Sequence, residues 1–196
     1  MIAINDLTKC YGEKCVFRGL TFKITENCRT VFGGESGIGK TTLMRCISGL
    51  ETPDGGSVTG TAGKKASFVF QDNRLIPGAT AMENILCVAP GRERAEYLLG
   101  RAGLADAAEK KAEILSGGMK RRLSIVRSLA YGGDIFYFDE PLRELDKTTE
   151  RRMIELIKEE TAGKTVILIT HDTDQSDRLA DTAIMFEGKP MRIVSG

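Results

Sequence analysis

Eight consecutive residues early in the chain have the composition of a phosphate cradle: Gly34-Glu35-Ser36-Gly37-Ile38-Gly39-Lys40-Thr41, followed by Thr42. The spacing G-x-x-x-x-G-K-[ST] comes after an apolar run, RTVFG, and opens a helical pattern, KTTLMRCISGL. That strand, loop and helix order is the context in which the match carries meaning. Glycines let main-chain N–H groups wrap a phosphate without Cβ clashes. Lys40 supplies a point charge for the β/γ-phosphates, and the Thr41 hydroxyl is a hard oxygen ligand for Mg2+. Roughly one chain in a hundred of this length would carry the pattern by chance at average residue usage. A plain glycine-rich helix cap is the disfavoured alternative.

Three strand-like runs end in polar groups that suit a triphosphate. In IFYFDEP, Asp139 and Glu140 follow four apolar residues. Ligands of open α/β sheets lie at the carboxyl ends of strands. Asp139 is placed to hold Mg2+, and Glu140 to polarise a water for attack on the γ-phosphate. A base of this kind typically contributes ~10²–10⁴-fold. His171, the only histidine, ends VILIT, and Gln71 ends SFVFQ. Histidine can reach the γ-phosphate region, and the neutral amide can join the Mg2+ and water shell. A second cradle, Ser116-Gly117-Gly118, sits between Leu115 and Met119 and opens the helical pattern MKRRLSIVRSLA. Its main-chain N–H groups favour an anion, yet it carries no lysine of its own.

These residues need a scaffold, and the apolar runs supply one. MIAI, LTFKI, RTVFG, ASFVF, DIFYF, TVILIT and TAIMF read as strands, with helical patterns between several of them. The alternation implies an α/β domain with a largely parallel sheet. DIFYF and TVILIT are near-continuously apolar, as strands covered on both faces should be. Residues 1 to about 28 suggest a small antiparallel layer. Residues about 75–130 lack a convincing strand and read as an inserted helical subdomain. The expected plan is one domain over residues 1–196. Residues about 1–74 and 131–196 form its nucleotide-binding core with the β subdomain.

Composition narrows the partners. The chain has 196 residues, with 28 Lys plus Arg against 27 Asp plus Glu. This near balance, with no Trp and few aromatics, argues against nucleic-acid binding. Five cysteines with no C-x-x-C spacing, and one His, make a disulfide framework or zinc site improbable; reduced, buried thiols are expected. The first residues lack a signal-peptide pattern, and no apolar run approaches the ~18 residues of a membrane span. Lys120, Arg121, Arg122 and Arg127 follow the second cradle with no acid among them. They are expected to form a solvated or dimer-facing basic surface.

Taken together, these motifs resemble the ATPase subunit of ATP-binding-cassette (ABC) transporters, over nearly the whole chain and in the family's order. Tyr11 sits where that family has an aromatic that stacks on adenine. GESGIGKTT matches its P-loop, Gln71 its Q-loop, LSGGM its signature, FYFDE its strand with the Mg2+ carboxylate and catalytic glutamate, and His171 its switch histidine. Leu145-Asp146 matches the end of its D-loop. The resemblance implies an ABC ATPase fold, a P-loop NTPase core whose cofactors are ATP and Mg2+. It implies catalytic roles for Lys40, Gln71, Glu140 and His171, and metal contacts from Thr41, Gln71 and Asp139. It further implies nucleotide contacts from Tyr11, residues 34–42 and Asp146. Two subunits would pair head to tail, so that Ser116, Gly117 and Gly118 close on the partner's γ-phosphate. The subunit would act at the cytoplasmic face of the membrane, with permease subunits and, for an importer, an extracytoplasmic substrate-binding protein.

Within the family, FVFQDNRLIPGATAMENI and Met119 resemble nitrate/sulfonate/taurine-type importers, although Gly78 stands where an aromatic is usual. Exporters and lipoprotein-handling members share parts of this pattern. Arg143 and Glu144 replace the usual small pair of the D-loop, so they must be accommodated across the dimer interface, and no C-terminal regulatory domain is expected. A soluble ABC-type ATPase acting on ribosomes or DNA, and a nucleotide-dependent binding module, are the readings from other classes.

Overall fold

The computed structural model describes residues 1–195. Strands β1 (Ile2–Tyr11) and β2 (Lys14–Ile24) form a hairpin, and β4 (Gly55–Thr59) pairs with the other edge of β1; both pairings are antiparallel. A six-stranded sheet takes β3 (Arg29–Gly33), β5 (Ala66–Val69), β6 (Ile135–Asp139), β7 (Thr165–Ile169), β8 (Thr182–Glu187) and β9 (Arg192–Ser195). Its order is β5-β6-β7-β3-β8-β9, parallel except at β8-β9. The helices are α1 (Lys40–Ile47), α2 (Ala81–Leu86), α3 (Arg92–Arg101), α4 (Gly117–Tyr131), α5 (Lys147–Glu160) and α6 (Thr173–Leu179).

Side chains alternate along a strand, so a strand buried on both faces serves two cores. Ile135 and Tyr137 of β6 pack with β1, β2 and α1, beside Ile4, Phe17 and Leu43. Phe136 and Phe138 point the other way, into a core with Leu123 and Val126 of α4 and Met153 and Leu156 of α5. Each residue of β6 and of β7 is buried. This is why those runs read as continuously apolar. The seven strand-like runs all lie in strands. The strands that sequence patterning did not show are β4, GGSVT, and β9, RIVS. Two glycines weaken the first signal, and a short edge strand gives little pattern to the second.

One expectation is corrected. Cys10 and Cys15 are joined by a disulfide with Cα atoms 3.8 Å apart. They are direct partners across β1 and β2, at the end of the hairpin. The count and spacing of cysteines did not register that pairing. Cys46 is buried, Cys28 half-buried and Cys87 exposed.

Among the described residues, no buried side-chain nitrogen or oxygen lacks a partner. Ser67 on β5 bonds the hydroxyl and carbonyl of Ser128 on α4. Glu150 on α5 accepts from Gln175 of α6. No helix among these residues is long and apolar enough to cross a membrane.

Helix α4 is seated by Leu123, which is fully buried. Leu123→Ala is expected to cost about 2–5 kcal/mol. The check is a urea titration in which the midpoint falls while the m-value stays constant.

Candidate active site

Parallel register aligns Phe32 of β3 and Asp139 of β6 with the same residue, Ile169 of β7. Three loops therefore leave one edge of the sheet side by side: the cradle after β3, Glu140 after β6 and His171 after β7. The first two, with Gln71 after β5, border a cavity of about 370 Å³ lined by Ser36, Gly37, Lys40, Thr41, Thr42, Gln71, Asp139 and Glu140, among others; His171 is not among its lining residues and meets the site through Glu140.

The cradle's glycines are required by close approach. Gly34 has φ 126°, and a Cβ there would stand 2.2 Å from the Phe186 carbonyl oxygen. Gly39 has φ 119°, and its Cβ would meet Val16 Cγ1 at 2.1 Å. Ile38 turns into the apolar core, 3% exposed, and so anchors the loop. The Lys40 ammonium donates to the carbonyls of Gly34 and Glu35, both at 2.6 Å. Burial pushes its pKa down, against the charges of Glu140 and Asp139.

Thr41 Oγ1 donates to Asp139 Oδ2 at 2.9 Å. Burial holds the Asp139 carboxyl above the usual range; Thr41 and the charges of Arg45 and Arg121 oppose that shift, and Glu140 adds to it. Glu140 has a left-handed backbone, φ 52°, which is costly for a residue with a Cβ. Its N–H donates to the Ile169 carbonyl at 3.0 Å. Its carboxylate oxygens lie 3.0 and 2.9 Å from His171 Nδ1. The carboxylate is largely shielded, whereas the imidazole is mostly exposed.

Some anticipated residues stand outside this cavity. Tyr11, 54% exposed, ends β1; its hydroxyl bonds Glu51, and Thr42 is within its reach. Ser116 caps α4, accepting from Met119 N–H, and Gly117 and Gly118 form the helix's first turn. This second cradle does not line the cavity of its own chain. Asp146 caps α5 through Thr148 and Thr149 N–H, and hydrogen bonds from the Thr149 side chain, then its N–H, lead in lowering its pKa. Arg143 and Glu144 sit exposed beside the second cradle and pair with each other at 3.6 Å.

At the arginines of α4 the expectation of a solvated basic surface is corrected. Arg121 is 4% exposed, and Arg122 and Arg127 are half-buried. All three guanidiniums donate to main-chain carbonyls: Arg121 to the loops after β5 and β6, Arg122 to Ala102 and Gly103, Arg127 to Asn73 and Arg74. The signal that could have revealed Arg121 is its spacing. It shares a helical stripe with the buried Ser124, Ile125 and Ser128.

A glycine cradle with an inward lysine, beside a carboxylate pair at the end of a buried strand, defines a P-loop nucleoside triphosphatase. The sequence profile of the ABC transporter family matches residues 17–143. The chain is 35% identical over 196 residues to the aliphatic sulfonates import ATP-binding protein SsuB of Pseudomonas entomophila, covering 95% of this chain and 73% of that protein. An aliphatic sulfonates import ATP-binding protein of Paraburkholderia xenovorans is 36% identical over 189 residues, covering 94% and 76%. Among solved structures, a dimeric bacterial ABC transporter cassette superposes with TM-score 0.84 at 31% identity, covering 94% of each chain. The chain belongs to the ABC transporter family, has the ABC ATPase fold, and is an ATP-hydrolysing member of it.

Because Asp139 has a raised pKa in the fold, its charge penalises the folded state above that pKa, and the penalty vanishes below the unfolded value. Asp139→Asn is expected to raise the nucleotide-free Tm at pH 7 and abolish hydrolysis. The gain should shrink as pH falls toward 4. Calorimetry across that range checks it, and an unchanged or lower Tm at pH 7 contradicts the penalty.

Proposed function

We propose that the chain powers uptake of a small sulfonate-like solute through a separate membrane permease, by ATP-driven pairing of two copies. One observation supports this most directly. The phosphate cradle, Asp139 and Glu140 converge on one cavity, with His171 against Glu140, while the second cradle is not among the residues lining it. Each copy thus holds a nucleotide site and, elsewhere, a lysine-free anion turn with free use for another copy's nucleotide.

In this reading main-chain N–H groups of residues 34–42 wrap the phosphates and Lys40 leaves the Gly34 and Glu35 carbonyls to neutralise the β- and γ-phosphates. Thr41 and Asp139, hydroxyl and carboxylate 2.9 Å apart, have the hard oxygen donors that suit Mg2+, with Gln71 nearby. That ion, when bound, offsets charge on the β- and γ-oxygens. Glu140 orients and deprotonates the attacking water. His171, already within hydrogen-bond distance of Glu140, holds that carboxylate and the γ-phosphate in line. Tyr11 faces the adenine, Asp146 caps the helix behind the D-loop, and Ser116, Gly117 and Gly118 complete the partner's site. Closure and reopening of the pair would drive a permease from the cytoplasmic face, with an extracytoplasmic binding protein delivering solute. The sulfonate class follows from the relatives' names and from the resemblance of residues 68–85 and Met119 to that branch.

Glu140→Gln should bind MgATP and hydrolyse it at only a small residual rate. Light scattering should then show its mass double at saturating MgATP and return on nucleotide removal. A monomer under those conditions contradicts the paired site. The same variant, purified from gently solubilised native membranes, should retain a multi-span permease. Recovery of ribosomes or DNA without any membrane chain contradicts the transport reading, and a permease with large extracytoplasmic domains and no binding protein contradicts import.

A further inference from the structure

Arg121 is the most enclosed cation on α4, and its bonding is unusual. It has no carboxylate bonded to its guanidinium. Nε donates to the Pro141 carbonyl at 2.9 Å. Nη2 donates to the Asp139 carbonyl at 2.7 Å and also to the Glu140 carbonyl. Nη1 donates to the carbonyls of Phe70 at 2.6 Å and Gln71 at 3.2 Å, and reaches Asn73 Oδ1 at 3.3 Å. Every donor of the planar fork is used, and one side chain joins two loops. The charges of Asp139, Glu140 and Glu144 act on it without a hydrogen bond, so its directional bonds all go to carbonyl oxygens, and burying a cation like this is an expensive way to fill space. Such a group is more informative about geometry than about stability.

The geometry concerns Glu140. The peptide planes on either side of its Cα carry the carbonyls of Asp139 and Glu140, and their relative rotation is its φ and ψ. Arg121 grips both oxygens, and the next one, of Pro141. The Ile169 carbonyl grips the intervening N–H at 3.0 Å. A left-handed, non-glycine conformation persists when its surroundings over-determine it. Here the surroundings are one guanidinium and one strand end. That conformation aims the carboxylate at His171. The same fork fixes the carbonyl of Gln71, and Arg127 holds the following carbonyls of Asn73 at 3.2 Å and Arg74 at 2.8 Å. Both arginines project from the helix whose first turn is Gly117 and Gly118.

We propose that Arg121 is a positioning residue for hydrolysis: its guanidinium sets the backbone of Glu140 and of Gln71 from the helix that bears the second cradle. The proposal rests on the reading of Glu140 as the group that activates water. Lysine in place of Arg121 keeps the charge but loses the planar fork, and glutamine keeps two N–H donors. Methionine removes all donors. Arg127→Met serves as the control, since Arg127 touches the Gln71 loop and not the Glu140 loop.

The test is a double-mutant cycle with single-turnover hydrolysis and MgATP affinity as readouts. Arg121→Lys and Arg121→Met are expected to slow hydrolysis by about 10²-fold, the size of a small misplacement of a reacting group. Their MgATP affinity should stay within about twofold. Arg121→Gln should recover part of the rate, and Arg127→Met should lose less than Arg121→Met. In the Glu140→Gln background, Arg121→Met should produce no further loss, because no base remains to position. Loss by the same factor in both backgrounds, or a parallel fall in affinity, makes Arg121 a general structural residue and overturns the proposal. Wild-type turnover in Arg121→Met, with Glu140→Gln impaired, overturns it alone. Wild-type turnover in Glu140→Gln removes Glu140 as the base and the proposal with it. Thermal melts of Arg121→Gln and Arg121→Lys verify that folded protein is being measured.

Discussion

Parallel hydrogen bonding between β3, β7 and β6 places Phe32 level with Ile169, and Ile169 level with Asp139. The cradle, Asp139, Glu140 and His171 all depend on that alignment. A shift of one residue would turn the side chains of a whole strand to the opposite face. It would also carry Asp139 away from Thr41, with which it shares a 2.9 Å bond. Register is secured by two cores rather than one, since alternate residues of β6 pack into each. The strand that bears the carboxylates is therefore among the hardest to displace.

The site concentrates charge where water is scarce. Lys40, Asp139 and Arg121 are each no more than 6% exposed, and burial opposes ionisation at all three. The fold answers with main-chain carbonyls for the two cations and a hydroxyl for the anion. Carbonyl dipoles stabilise a cation without neutralising it. Lys40 thus carries no hydrogen-bonded carboxylate that would cancel its charge.

Much of this was legible in the residues. The cradle, the carboxylates after β6 and the histidine after β7 are short patterns tied to strand ends, and apolar runs mark strand ends well. The central strands were legible because both faces are buried. What escaped notice had weaker local signals. β4 begins with two glycines, and the Cys10–Cys15 bond depends on hairpin register, which a count of cysteines does not contain. The arginines of α4 misled for a physical reason. A basic run usually marks solvent, whereas here loop carbonyls offered the guanidiniums acceptors inside the fold. Their helical spacing carried that information, but only if a charged residue is allowed on a buried stripe.

Val16 has two neighbours that bear on how the molecule can move. Its carbonyl accepts the Met191 N–H at 2.7 Å, tying the hairpin of β1 and β2 to the edge of the six-stranded sheet. Its side chain lies against Gly39, where a Cβ would meet it at 2.1 Å. The hairpin that ends in Tyr11 and the glycine cradle are therefore joined through one residue. A molecule stretched from Tyr11 to Lys40 would be measured, as by a gauge, against a distance that this one valine helps to set.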